Sequence, residues 1–248
     1  KNLFSSLDDG NNKGLAGKIN AKQRLFTKKW SLDAFTNYQF IQRDFRSVER
    51  LYTIEFDRDW NIGTAGIGNQ SLLVSGLELQ LNPKPNTFNK GLLLYQFEKL
   101  DFSDNFSGNR HILNGRFQLK NWNFNSQGSV LKSDGSTMSS QFIRNQSQIR
   151  FHFDKNWIGS SLRLEDNQEK NKITNQFSAL SQKFTEYGFY TGRGDSTKVF
   201  VELGYLRRKN DSLYNGLIQR VNTSQTFQLK SKLVQTKKSD LSIYANYR

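Results

Sequence analysis

Alternation of apolar and polar residues at every second position is the feature that most limits what this 248-residue chain can fold into. In WSLDAFTNYQF, residues 30–40, the even positions are apolar or aromatic apart from one threonine, and the odd positions are mostly polar. Successive side chains of a β-strand point to opposite faces, so this spacing predicts a strand with one apolar face. The same alternation recurs at 75–82, 113–120, 147–154, 159–166, 226–233 and 240–247.

Connections between these predicted strands fall into a short class and a long class. The short, polar ones are 27–29, 57–59, 120–121, 154–156 and 236–239. The long ones, rich in Gly, Ser and Asn, are roughly 63–71, 103–111, 132–141, 165–182 and 207–217. Their alternation predicts an all-β, antiparallel up-and-down meander, with tight turns at one edge and long loops at the other. Counting segments gives about 12 to 14 strands.

The four tryptophans each follow a short polar or basic step, and FDRDW (56–60) is nearly repeated as FDKNW (153–157). Rings that carry one polar atom settle where apolar and wet surroundings meet, and they form girdles at the rims of membrane barrels. The pattern therefore predicts that Trp30, Trp60, Trp122 and Trp157 form an interfacial girdle at one rim. The alternative is that these tryptophans staple the hairpin ends of a soluble sheet.

Composition narrows the class of protein further. Aromatic residues make up 13% of the chain and hydrophobic residues only 35%, which is too aromatic for a disordered chain and too poor in aliphatic residues for an ordinary globule. No apolar run is long enough for a membrane helix. Cysteine is absent, which excludes thiol chemistry. The formal net charge is +14, but the basic residues are scattered singly, so we predict no nucleic-acid partner.

The alternation also predicts which side chains share a face. The predicted lipid-facing set is Leu32, Ala34, Tyr38, Phe117, Leu119, Phe151, Phe153, Leu162, Leu164, Phe227 and Leu229. Their strand neighbours must then point inward. Those neighbours include Arg116, Arg150, Arg163, Lys230 and Lys232. The sequence therefore predicts a basic, lumen-facing wall that attracts an anionic solute or an acidic segment.

Motifs with chemical potential are few. His111, in a predicted loop, and His152, on the polar face of its strand, have no further ligands at metal-binding spacing, and no GxSxG elbow is present. We predict no enzyme, cofactor or metal; an outer-membrane hydrolase using one of these histidines is the least favoured alternative. LDDGNNKG (7–14) lacks the spacing of a calcium loop, and Arg-Gly-Asp within TGRGDST (191–197) is interpreted as a turn.

Two segments carry a resemblance to a known class. FIQRDFRSVERLYTIEFDRDWNI (40–62) and LGYLRRKNDSLYNG (203–216), with Asn-rich loops and Phe- and Tyr-rich strands, resemble the large outer-membrane β-barrel proteins of the Bacteroidota. The resemblance implies a Gram-negative outer membrane, contact with the lipid bilayer and lipopolysaccharide, and further protein subunits. It implies a role in uptake, secretion or assembly without choosing among them.

Two functions follow as expectations. The first is a transmembrane β-barrel over residues 15–248, after a polar lead-in segment at 1–14, acting as a pore or as the membrane anchor of a transport, secretion or assembly complex. This barrel is expected to be an incomplete fragment of a longer chain. The alternative is a soluble antiparallel sheet that binds glycan or peptide in the periplasm or on the cell surface, its apolar face packed on a second sheet.

Overall fold

A computed structural model describes residues 14–43, 45, 60, 68–81, 89–103, 105–179, 181–194, 199–214, 217–235 and 240–247. These residues contain twelve strands in one sheet, in sequence order. The strands are β1 (Ala16–Thr27), β2 (Trp30–Ile41), β3 (Gln70–Leu81), β4 (Lys90–Phe102), β5 (Phe106–Leu119), β6 (Trp122–Gly135), β7 (Met138–Phe153), β8 (Asn156–Asn171), β9 (Gln182–Gly194), β10 (Phe200–Tyr214), β11 (Leu217–Gln235) and β12 (Asp240–Tyr247). No helix within these ranges is long and apolar enough to cross a membrane.

The predicted antiparallel meander is confirmed. Each strand pairs with the next one along the chain, and all eleven pairings are antiparallel. Within the described ranges β1 and β12 do not pair with each other, so the sheet is open there. Of the predicted 1–14 lead-in segment only Gly14 is described, and the predicted turns at 57–59 and 236–239 lie outside the described residues.

Tight hairpins define one edge of the sheet, which we call the tight-turn edge: it carries the turns at 28–29, 120–121 and 154–155. Leu119 pairs with Trp122, and Phe153 pairs with Asn156, so two residues close each of these hairpins. Such two-residue turns match the twist of the strands when the first residue has positive φ. Lys120 (φ 49°) and Asp154 (φ 52°) fulfil this requirement.

The opposite edge, the loop edge, carries the two longest connections, 42–69 and 172–181, together with the short connections 103–105, 136–137 and 215–216. Three of the predicted long loops are wrong, because strands occupy most of 103–111, 132–141 and 207–217. β5, β6, β7 and β10 continue through Gly-, Ser- and Asn-rich sequence because backbone hydrogen bonds to both neighbours persist where neither face is apolar. His111, predicted to lie in a loop, is therefore a residue of β5.

Directly paired residues of an antiparallel sheet share a face, so the register divides the side chains into two sets. One set, the apolar face, contains all eleven predicted lipid-facing residues and their pairing partners. Other members of this face are Leu79, Leu93, Phe124, Ile149, Ile158, Phe189 and Leu203. The opposite set, the polar face, is rich in amides and in charges of both signs.

The apolar face carries a band that starts at the tight-turn edge and runs obliquely to the strands. Towards the loop edge, the band ends at Phe40 on β2 and at Phe227 on β11. On β11 the next residues of this face in that direction are the polar Gln225 and Thr223. Pairing places Phe40 in register with Asp101 of β4, and Phe227 in register with Gly91 of the same strand. Counted along β4, the limit of the band therefore moves ten residues towards the tight-turn edge over the nine strand-to-strand steps from β2 to β11.

Charged side chains on the apolar face begin beyond this band. The first ones towards the loop edge are Lys99 on β4, Lys132 on β6, Asp166 on β8 and Arg207 on β10. On β6 the band covers residues 122–130. A tilted transmembrane strand needs about 9–11 residues, so this length matches one hydrocarbon thickness.

Candidate functional site

All five basic residues predicted for the inner wall lie on the polar face. Arg116 on β5, Arg150 on β7 and Arg163 on β8 alternate with apolar-face residues, as do Lys230 and Lys232 on β11. The register makes this assignment, because a shift by one residue would move every side chain of a strand to the other face. The polar face is therefore the surface on which a site has to be sought.

The prediction of a basic wall needs correction, since carboxylates interleave with the cations. Glu202 on β10 lies 3.5 Å from Arg150 Nη2 and 3.5 Å from Lys230 Nζ. Trp157 Nε1 also donates a hydrogen bond to Glu202 Oε2 at 3.3 Å. One carboxylate thus joins two of the five predicted basic residues to an indole.

Three further arginines on this face are paired with carboxylates. Arg163 Nη2 lies 2.6 Å from Glu165 Oε1, and Arg208 Nη2 lies 2.6 Å from Glu186 Oε2. Towards the loop edge, Arg110 Nε donates to Glu98 Oε2 at 2.6 Å. The guanidinium groups of Arg163 and Arg208 both lie over the ring of Phe184, at 5.2 and 5.3 Å. Most of the polar face is therefore a mixed-charge network.

The sequence pattern contained a signal for this network that counting cations missed. Each carboxylate of the network shares a face with a basic residue. Glu165 and Glu202 are an even number of residues from an arginine of their own strand, and Glu186 and Glu202 lie directly opposite basic residues of the neighbouring strands. Glu202 pairs with Lys230, and Glu186 pairs with Arg163. Opposite charges in paired positions stabilise an antiparallel sheet, and both signs belong in any estimate of the potential of this face.

Burial indicates that the polar face is the concave side of the sheet. Ser31 and Asp33 on this face are buried, whereas Phe189 and Leu203 on the apolar face are exposed. Arg150 on β7 also reaches Glu202 on β10, although β8 and β9 lie between them. Glycines make room for this approach, since the ring of Tyr190 covers Gly159 and that of Trp157 covers Gly192.

Arg150 is held in place by aromatic rings. Its guanidinium carbon lies 5.6 Å from the centre of the Trp157 ring and 5.1 Å from that of Tyr190. Tyr190 is fixed in turn by a hydrogen bond from its hydroxyl to the backbone oxygen of Ile149 at 3.1 Å. Cation–π contacts of this kind orient a guanidinium without neutralising it.

The predicted tryptophan girdle is wrong for two of its four members. Trp30 and Trp122 begin β2 and β6 at the tight-turn edge and lie on the apolar face. Trp157 lies at the same edge but on the polar face, where it is 2% exposed. It is the second residue of β8, and this offset of one residue reverses the direction of its side chain.

Trp60 departs further from the prediction, because it lies at the loop edge. It is 1% exposed and packs in a cluster with Leu100, Phe102, Phe106 and Leu131, with Leu72 and Phe142 beside them. Leu100, Phe102, Phe106 and Leu131 occupy the loop-edge ends of β4, β5 and β6, on the polar-face side of the sheet. Arg110 lies over the indole at 5.0 Å. Trp60, which belongs to the β2–β3 connection, therefore packs on the concave face.

The two histidines occupy opposite faces and have amide or phenol partners. His152 lies on the polar face, with Nε2 at 3.1 Å from Asn123 Nδ2. His111 lies on the apolar face, where Nδ1 is 2.9 Å from the hydroxyl of Tyr95. Among the described residues no group of three or more His, Asp or Glu side chains is arranged to hold a metal ion.

No protein-family model matches this chain, and no curated protein matches it either.

Proposed function

We propose that this chain forms the wall of a transmembrane β-barrel in a bacterial outer membrane, with its apolar face towards lipid and its polar face towards the lumen. In this role it serves as a pore or as the membrane anchor of a transport, secretion or assembly complex. The observation that carries the proposal is the oblique apolar band between Phe40 and Phe227.

A flat bilayer explains why the band runs obliquely. In a barrel the strands tilt, so a layer perpendicular to the barrel axis crosses successive strands at shifted register positions. A fall of ten residues over nine strand steps, at ~3.3 Å per residue and ~4.8 Å between strands, corresponds to a tilt of about 37°. Membrane barrels have tilts of about 35–45°.

Exposure of the apolar face supports lipid as its solvent. Phe189 is 59% exposed and Leu203 is 56% exposed, although both lie within the band. In the soluble alternative a second sheet would cover these side chains, but all twelve described strands belong to one sheet. Exposed apolar patches of this extent mark membrane or protein contacts.

The two edges suggest an orientation. In bacterial outer-membrane barrels the short turns lie on the periplasmic side and the longer loops outside. The tight-turn edge is accordingly periplasmic in this proposal, and the loop edge faces the exterior. Lys99, Lys132 and Lys183, which stand on the apolar face just beyond the band, would then reach the phosphates of lipopolysaccharide. The resemblance to Bacteroidota barrels agrees with this arrangement.

Quenching of tryptophan fluorescence by brominated lipids tests the proposal. In vesicles we expect bromine near the interface to quench Trp122, which is 49% exposed on the apolar face, and to spare Trp157, which is buried on the polar face. Replacing Trp122 with phenylalanine should therefore lower the quenched fraction of the emission. Replacing Trp157 with phenylalanine should raise it.

The two variants are matched in height, since both tryptophans lie at the tight-turn edge, and they differ in the face they occupy and in exposure. Equal changes in both variants would contradict the assignment of faces. Absence of quenching in the unmodified protein, together with stable monomeric behaviour in water without detergent, would favour the soluble sheet instead.

A further inference from the structure

A cavity of about 660 Å³ opens on the polar face near the tight-turn edge. Three cationic side chains line it, Lys90 on β4, Arg116 on β5 and Arg150 on β7. Side-chain amides surround them: Gln80, Gln118, Asn123, Asn125 and Gln148. No carboxylate is among the lining residues, which sets this cavity apart from the mixed-charge network around it.

The cations of the cavity are available to a ligand. Lys90 and Arg116 are exposed, and neither forms an ion pair within the described part of the chain. Arg150 has its carboxylate partner, Glu202, only at 3.5 Å. By contrast, Arg163 and Arg208 have carboxylate oxygens at 2.6 Å. This cavity therefore brings together two cations without a carboxylate partner among the described residues and a third whose partner is distant.

The rest of the lining suggests what the anion is attached to. A primary amide both donates and accepts hydrogen bonds, which matches hydroxyl groups, whereas a bare inorganic anion would use only the donors. Guanidinium and ammonium groups bind phosphate or carboxylate oxygens with charge-assisted hydrogen bonds. The volume lies within the range of about 300–1,000 Å³ that is usual for small-molecule sites.

We propose that this cavity binds a small polyhydroxylated molecule that carries a phosphate or carboxylate group. Arg116 and Lys90 hold the anionic group, Arg150 flanks it from its aromatic support, and the amides bind the hydroxyls. The inference rests on the proposed function in placing the cavity on the lumen side of the barrel, where a solute reaches it from the tight-turn edge.

Calorimetric titration of the detergent-solubilised protein with glucose 6-phosphate tests the inference, at constant ionic strength because salt screens these charges. We expect glucose 6-phosphate to bind, and glucose and inorganic phosphate to bind at least tenfold more weakly. Arg116→Gln should weaken binding of glucose 6-phosphate at least tenfold. If inorganic phosphate binds as tightly as glucose 6-phosphate, the polyol part of the proposal is wrong.

Arg144→Gln is the matched control. Arg144 also lies on the polar face without an ion pair among the described residues, but it lines a separate cavity and stacks over Phe142 at 5.5 Å. The Arg144→Gln substitution should change the affinity for glucose 6-phosphate less than twofold. Equal losses of affinity in both variants would mean that the overall positive charge of the face attracts the ligand, and would overturn the assigned cavity.

Vesicle flotation is measured on each protein before its titration. Protein that floats and binds none of the probes overturns this inference alone, whereas protein that does not float contradicts the proposed function.

Discussion

Replacement of Leu162 by arginine should lower the free energy of unfolding in lipid vesicles by about 2–4 kcal/mol, the cost of a cation on the lipid face near the bilayer midplane. Leu162 lies on the apolar face of β8, halfway between Ile158 near the tight-turn edge and Asp166, where charge begins on this strand. An arginine there lies inside the band, with Ile158 and Leu164 of the same strand on either side. Urea unfolding of the vesicle-inserted protein, followed by tryptophan emission, measures the loss.

Gln148→Arg supplies the control. Gln148 pairs with Ser161, the neighbour of Leu162, so the two substituted positions lie at nearly the same height on opposite faces. Gln148 is exposed on the polar face, where water and salt screen the repulsion from Arg116 and Arg150, so an arginine there should lower the free energy of unfolding by no more than about 1 kcal/mol. Similar losses at both positions, or no loss at Leu162, would contradict a lipid-facing apolar face.

Alternation of apolar and polar residues was sufficient to predict which side chains share a face. A strand shifted by one residue would turn its apolar side chains to the polar face, so the pattern permits only one assignment. Phe117, Gln118 and Leu119 occupy successive positions of one strand, and the pleat leaves them no choice of side once Phe117 is placed. The same argument holds for Leu162, Arg163 and Leu164 on β8. Face assignment is a local property of each strand, so a single sequence carries it.

The tryptophans show where local reasoning stops. LKNW and FDKNW look alike, but two residues separate Leu119 from Trp122, whereas three separate Phe153 from Trp157. Since both hairpins close with two-residue turns, the extra residue moves Trp157 to the polar face, over Gly192. The difference was visible in the spacing, but its meaning depends on which residue the turn leaves as the first of the next strand.

Glu202 was beyond reach for a different reason. Its pairing with Lys230 is a contact between neighbouring strands, which a correct hairpin register predicts. Its contact with Arg150 joins strands that are three apart, on a concave face that has glycines beneath Tyr190 and Trp157. A sequence pattern does not fix curvature, so the carboxylate that limits the positive charge of the wall could not be assigned in advance.

Trp60→Ala should lower the free energy of unfolding by about 3–5 kcal/mol, the usual loss for a large aromatic side chain removed from a packed site. The indole is 1% exposed, and its removal opens a cavity between Leu100, Phe102 and Leu131 and takes away the ring beneath the Arg110 guanidinium. Urea unfolding followed by far-ultraviolet circular dichroism measures the change without relying on the altered tryptophan emission. Trp122→Ala, at a half-exposed site, should lose about 1 kcal/mol.

Gly108 makes the placement of Trp60 testable independently of cavity size. A Cβ at this position would lie 2.9 Å from Trp60 Cε3 and 3.0 Å from Trp60 Cζ3, and the nearest atom of another residue, Phe106 Cε1, would be at 3.2 Å. Gly108→Ala should therefore destabilise the unmodified protein by pushing the indole out of its cluster, and should have little effect once Trp60 is alanine. Residues in contact show such non-additive losses, whereas distant residues add. Additive losses from the two substitutions would mean that Trp60 does not pack on Gly108.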